Sequence, residues 1–156
     1  MSSQNLSSFD KSDIGDCSHL NVGIVCSKWN SDITENLYDG AFSTLLELGI
    51  NKNNIISIKV PGSFELVYGA NKMSKKNVDV IICLGCVIRG ETSHFDYICN
   101  SVSNGIMNLN IKLDIPVIFG VLTDDTKQQS IERSGGKLGN KGTEAAVTAV
   151  YMALLK

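Results

Sequence analysis

Apolar residues recur along this chain in two alternating rhythms. Short, β-branched and nearly unbroken apolar runs occupy residues 21–26, 55–60, 78–84 and 115–121. Such runs predict strands buried on both faces of a sheet. Between them, apolar positions return every three or four residues, the spacing of one helical face. Over residues 32–48 that stripe is Ile33, Leu37, Ala41, Leu45 and Leu48, and Gly49 follows as a stop signal. Residues 63–75 place Phe64, Val67, Ala70 or Asn71, and Met73 inward after the breaker Pro61-Gly62. Residues 94–109 do the same with Phe95, Ile98, Val102, Ile106 and Leu109. A short helix over 126–134, a loop over 135–142 and an Ala-rich helix over 143–155 complete the pattern. Residues 1–18 are polar, with little periodicity, and read as a loose tail.

Strands alternating with helices predict right-handed βαβ units and a parallel sheet. The expected fold is α/β: a three-layer α/β/α sandwich, flavodoxin-like, with a four-stranded parallel sheet. The tail is a candidate for an extra N-terminal strand. With 156 residues the chain predicts a single domain over 19–156 behind the tail. The AVILMFWYC fraction of 43% is ample for a core that needs no disulfide or metal.

A formal charge of −2, from 14 Lys+Arg against 16 Asp+Glu, gives no basis for a nucleic-acid partner. No apolar run reaches the length of a membrane span, and the first twenty residues lack the apolar segment of a signal peptide. Five scattered cysteines do not form a secreted disulfide framework. The expectation is a cytoplasmic protein with reduced thiols. Cys83 and Cys86 match C-x-x-C, but they lie in and just after an apolar strand, and no second pair stands at zinc spacing. They read as small buried hydrophobes, and no metal site is expected.

In open α/β sheets, ligands bind beyond the carboxyl ends of the strands. The segments leaving the strands hold the only Trp (Trp29), Glu65 beside Pro61-Gly62, Arg89, and His94 at a helix start. His94 is a candidate general acid/base, because imidazole titrates near neutrality; Asp96 does not share its helical face. Residues 90–92 form a turn at a helix N-terminus, a place suited to an anion. Arg133, Lys137 and Lys141 sit in a Gly-rich stretch that can add positive charge. No P-loop pattern occurs there, and no G-x-G-x-x-G fingerprint occurs either, which disfavours a dinucleotide cofactor.

Five blocks carry a family resemblance: residues 25–30 (VCSKWN), 60–65 (VPGSFE), 85–97 (GCVIRGETSHFDY), 116–121 (PVIFGV) and 132–142 (ERSGGKLGNKG). The chain resembles the 6,7-dimethyl-8-ribityllumazine synthases over about residues 20–156. The resemblance implies condensation of 5-amino-6-(D-ribitylamino)uracil with 3,4-dihydroxy-2-butanone 4-phosphate, the penultimate step of riboflavin biosynthesis, without cofactor or metal. It implies that Trp29 stacks on the pyrimidine, that Ser63, Phe64 and Glu65 line the ribityl chain, and that Cys86, Val87 and Ile88 contact the heterocycle through their backbone. Glu91 and Thr92 mark the phosphate turn, with Arg133 as its charged clamp, and Lys141 stands near the ribityl or phosphate end. His94 is the proton shuttle, and Phe119 serves a neighbouring subunit.

The implied assembly is a homopentamer. The short loop over 135–140 favours a sixty-subunit shell of twelve pentamers, and riboflavin synthase is a partner to expect. Cys86 stands where Thr or Ala is frequent and Trp29 where Phe is frequent. Glu91 places a carboxylate near a phosphate, which fits only if the backbone N–H does the binding. Two other readings are a non-catalytic riboflavin- or lumazine-binding member of the same fold and a flavodoxin-like electron carrier. The second is disfavoured because no Ser/Thr-rich phosphate loop follows the first strand.

Overall fold

The computed structural model describes residues 7–10 and 14–155. The four apolar runs become β1 (Val22–Ser27), β2 (Ile55–Val60), β3 (Val80–Ile88) and β4 (Val117–Asp124). They pair in parallel in the order β2-β1-β3-β4. Helices α1 (Ser31–Glu47), α2 (Leu66–Met73), α3 (His94–Lys112), α4 (Lys127–Arg133) and α5 (Lys141–Ala153) follow in chain order. The result is the flavodoxin-like three-layer sandwich that the periodicities predict.

The period-two alternation of the strands divides the core between the two faces. Ile24, Cys26, Ile82 and Leu84 pack under α1 and α5 with Leu37, Leu45, Ala146 and Val150. Val25, Ile81 and Cys83 point the other way, against Leu66, Met73, Val102 and Ile106 of α2 and α3. Cys83 and Cys86 therefore lie on opposite faces of β3 and cannot act on one ligand. Burial pushes their thiols up, to about 12 for Cys83 and about 11 for Cys86, so both stay protonated near neutrality. Among the described residues, no helix is long and apolar enough to cross a membrane.

Helices α1 and α5 approach at Gly142. A Cβ there would lie 1.9 Å from the backbone oxygen of Leu37, a contact that no rotamer change can relieve. Gly142→Ala is expected to destabilise the fold by about 1–3 kcal/mol, the usual cost of overpacking. Calorimetry should show a lower Tm; an unchanged Tm would contradict the close approach.

Several boundaries differ from those the sequence predicts. β3 runs four residues past Leu84, because β4 continues to pair with it as far as Ile88 opposite Asp124. α2 begins at Leu66 rather than at residue 63; residues 63–65 form a turn in which Leu66 N–H donates to the Ser63 carbonyl. The expected loop over 135–142 is a small antiparallel hairpin, β5 (Ser134–Gly136) and β6 (Gly139–Asn140). Gly135 and Gly139 supply its positive φ angles. α5 starts at Lys141, where the Asn140 side chain accepts from Gly142 N–H.

The described tail residues form no strand of their own. Ser7 Oγ accepts from Asn140 N–H at 2.7 Å, and Cys17 and Leu20 are buried with the core under α1 and α5.

Candidate active site

Hydrogen bonds tie the carboxyl ends of β1, β2 and β3 together. Lys28 N–H donates to the Val60 carbonyl, and Trp29 N–H donates to the Pro61 carbonyl at 3.0 Å. Asn30 adopts a left-handed conformation (φ 57°), and its Nδ2 donates to the Cys86 carbonyl at 3.0 Å. That bond joins the β1 exit to β3.

Trp29 lies against Gly62, where a Cβ would sit 2.5 Å from the indole Cε3. Glycine at that position lets the ring pack on the backbone, and the indole is still 64% exposed. It therefore offers an open face for stacking. Glu65 Oε2 accepts from Gly62 N–H at 3.0 Å, which fixes the carboxylate and leaves Oε1 without a partner among the described residues. Ser63 Oγ is buried and likewise unpartnered among them, facing Gly85 closely enough that a Cβ there would lie 2.7 Å away. Phe64 is exposed. Together with Glu65 it borders a groove of about 620 Å³ between α2 and α3, lined also by Val67, Tyr68 and Lys112.

Beyond Ile88, the chain turns through exposed Glu91 and Thr92 to exposed His94, the first residue of α3. His94 N–H donates to Thr92 Oγ1 at 3.4 Å. Arg89 anchors this turn. Its Nε donates to Asp125 at 2.7 Å, while Nη1 and Nη2 grip Asp96 at 3.3 and 3.1 Å. Its guanidinium also lies 4.0 Å from the Phe95 ring centroid. Asp96 first, and Asp125 next, raise the pKa of Arg89. Asp96 is thus occupied by Arg89 and is not a partner for His94. Sequence reasoning passes over Arg89 and Asn30 as anchors, although both lie within the resembling blocks.

Arg133 ends α4 and joins the same end of the sheet. Its side chain is 17% exposed, with Nε 3.7 Å from Asp124 Oδ1 at the end of β4. Phe119 and Lys141 are elsewhere. Phe119 lies midway along β4, opposite Cys83, and Lys141 opens α5. Both line a groove of about 590 Å³ along the free edge of β4. There Lys141 Nζ pairs with Glu144 Oε1 at 2.7 Å, a partner the sequence did not single out. Among the described residues, no group of three or more His, Cys, Asp or Glu stands together as a metal site.

One chain thus carries a larger cluster of candidate site residues beyond β1, β2 and β3, and a smaller one on the β4 edge. The family model for 6,7-dimethyl-8-ribityllumazine synthase matches residues 19–156. A 6,7-dimethyl-8-ribityllumazine synthase of Cytophaga hutchinsonii is 57% identical over 150 residues, covering 96% of this chain and 94% of that protein. Its counterpart in Parabacteroides distasonis is 53% identical over 150 residues, with the same coverages. That of Flavobacterium johnsoniae is 54% identical over 154 residues, covering 98% of this chain and 81% of the relative. The chain belongs to the 6,7-dimethyl-8-ribityllumazine synthase family.

Proposed function

We propose that this chain condenses 5-amino-6-(D-ribitylamino)uracil with 3,4-dihydroxy-2-butanone 4-phosphate to give 6,7-dimethyl-8-ribityllumazine, with loss of phosphate and water. The observation that carries this reading is the family match, which spans every element of the sheet and site. The geometry fits it. Trp29 presents a free aromatic face for the pyrimidine. Glu65 Oε1 and Ser63 Oγ are polar atoms without partners among the described residues, suited to a polyol chain. The backbone of Cys86, Val87 and Ile88 borders the heterocycle. The turn at Glu91 and Thr92 receives the phosphate through backbone N–H groups, with Arg133 as counter-charge.

Amine–carbonyl condensation, phosphate elimination and ring closure each move protons. His94 follows this turn two residues after Thr92, and its exposed imidazole is the group placed to move them. The remaining work is positioning of two substrates, which lowers the barrier by removing translational and rotational freedom.

The β4-edge groove supplies the missing wall of the site. Phe119 and Lys141 line a different groove from Phe64 and Glu65. A neighbouring copy that seats its β4 edge against the first cluster completes the pocket. Such a contact is head-to-tail, and head-to-tail contacts whose rotation closes form rings; the family resemblance is what implies five copies. The ring is a pentamer, and twelve pentamers form a shell. Sedimentation velocity tests this: sixty chains of 16.9 kDa make a particle of about one megadalton, whereas a five-chain species rejects the shell and a monomer rejects the shared site. Riboflavin synthase, which consumes the product, is the partner that the shell would hold.

Trp29 is the only tryptophan, so its fluorescence reports the site directly. The aminopyrimidine is expected to quench it, and adding the butanone phosphate should then produce lumazine emission. Quenching without product would mark a binding module, and an unaltered signal in both steps would reject the reading.

A further inference from the structure

Behind Arg133 lies a buried polar chain to which the roles above give no task. Asp124 is 5% exposed, and Ser130 and Cys86 are buried beside it. Ser130 Oγ donates to Asp124 Oδ2 at 2.8 Å, and Cys86 Sγ donates to Ser130 Oγ at 3.4 Å. The other carboxylate oxygen, Oδ1, stands 3.7 Å from Arg133 Nε, which is itself buried and without a hydrogen-bond partner. Arg133 Nη1 donates to the Gln129 carbonyl at 3.0 Å. Nη2 has no partner among the described residues.

The local sequence builds this arrangement. The Thr126–Gln129 capping box ties the start of α4 to the strand end that carries Asp124. Residues 130 and 133 are three apart, so they fall on one helical face, and that face is turned toward the carboxylate. A buried carboxylate is costly unless it is paired and hydrogen-bonded. Ser130 and Arg133 meet that need, and Asp124 in return restricts where the guanidinium can point.

We propose that Asp124 is a positioning residue for phosphate recognition: its carboxylate, oriented by Ser130, holds the Arg133 guanidinium so that its free edge receives the phosphate of the four-carbon substrate. This rests on the reading of Arg133 as the phosphate clamp. Cys86 links the same network to the strand segment that borders the heterocycle, so the two ends of the pocket are connected through Ser130 and Asp124.

The opposite role, a mere counter-charge, has the opposite signature. If Asp124 only neutralised Arg133, removing its charge would tighten phosphate binding. The test is Asp124→Asn in the assembled protein, with KM measured for both substrates and inhibition measured for inorganic phosphate. Phosphate and the butanone phosphate should bind about tenfold more weakly, in line with couplings within one network. The KM of the aminopyrimidine should stay within about twofold, which a general loss of structure would not allow.

In an Arg133→Ala background, adding Asp124→Asn should cause no further loss of phosphate affinity. Ser130→Ala should shift phosphate affinity in the same direction by a smaller factor, and it decides the matter if Asp124→Asn does not fold. Tighter phosphate binding, additive effects in the double variant, or no shift from a folded Asp124→Asn or, failing that, from Ser130→Ala would overturn the proposal. A wild-type protein that neither turns over nor binds phosphate would instead reject the proposed function itself.

Discussion

His94→Ala is expected to slow turnover by about 10- to 10³-fold without abolishing it, the scale of a lost acid–base group where solvent can partly substitute. The partial loss follows from the geometry. His94 is exposed at the first position of α3, so water reaches the same protons. In the proposed site the groups at the β1, β2 and β3 exits would still hold the substrates, and that positioning should survive the substitution. Folding should also survive, because Arg89, Asp96 and Asp125 fix the turn independently of the imidazole. The readout is kcat with both substrates saturating. An unchanged kcat in a folded protein removes His94 from the mechanism.

Arg133→Ala is expected to act on affinity. A charge-assisted contact to a phosphate contributes about 1.5–3 kcal/mol, so KM for the butanone phosphate should rise by about 10- to 100-fold. kcat at saturation should change far less, because the guanidinium holds the phosphate in ground and transition states alike. A loss of kcat with unaltered affinity would contradict this role. The substitution also strips Asp124 of its counter-ion while Asp124 remains almost fully buried. A lower Tm should therefore accompany the higher KM.

Much of the fold is legible in the sequence because two physical periods write it. Continuous β-branched runs and three-to-four-residue stripes yield four parallel strands and five helices. The errors fall where distant pairing decides. Gly85 reads as the exit of β3, but the strand continues because β4 offers partners as far as Asp124. The Gly-rich stretch after α4 reads as a loop, but glycines with positive φ close it into a hairpin.

The candidate site divides in the same way. The rule that ligands gather beyond strand ends collects Trp29, Ser63, Glu65 and His94 without any knowledge of contacts. Asn30 and Arg89 lie in the same segments, but their part as anchors does not show there, and Asp124 and Ser130 escape the rule. A polar residue beside an apolar strand shows its purpose only when its partner, remote in sequence, comes into view. The role of Phe119 comes only through the family blocks, since nothing local separates an edge-strand phenylalanine from a core one, whereas Lys141 already shows in the basic Gly-rich stretch. Their separate groove on the β4 edge accords with a site that two copies share.

The central claim is catalysis by this chain, and one measurement bears on it most directly. Initial rates of lumazine formation and phosphate release should be followed together over a range of protein concentrations, with both substrates present and the spontaneous rate subtracted. The account predicts that both signals rise in proportion to protein and in a one-to-one ratio. It also predicts that His94→Ala lowers both by the same factor. Rates that do not exceed the spontaneous reaction at any protein concentration would contradict it.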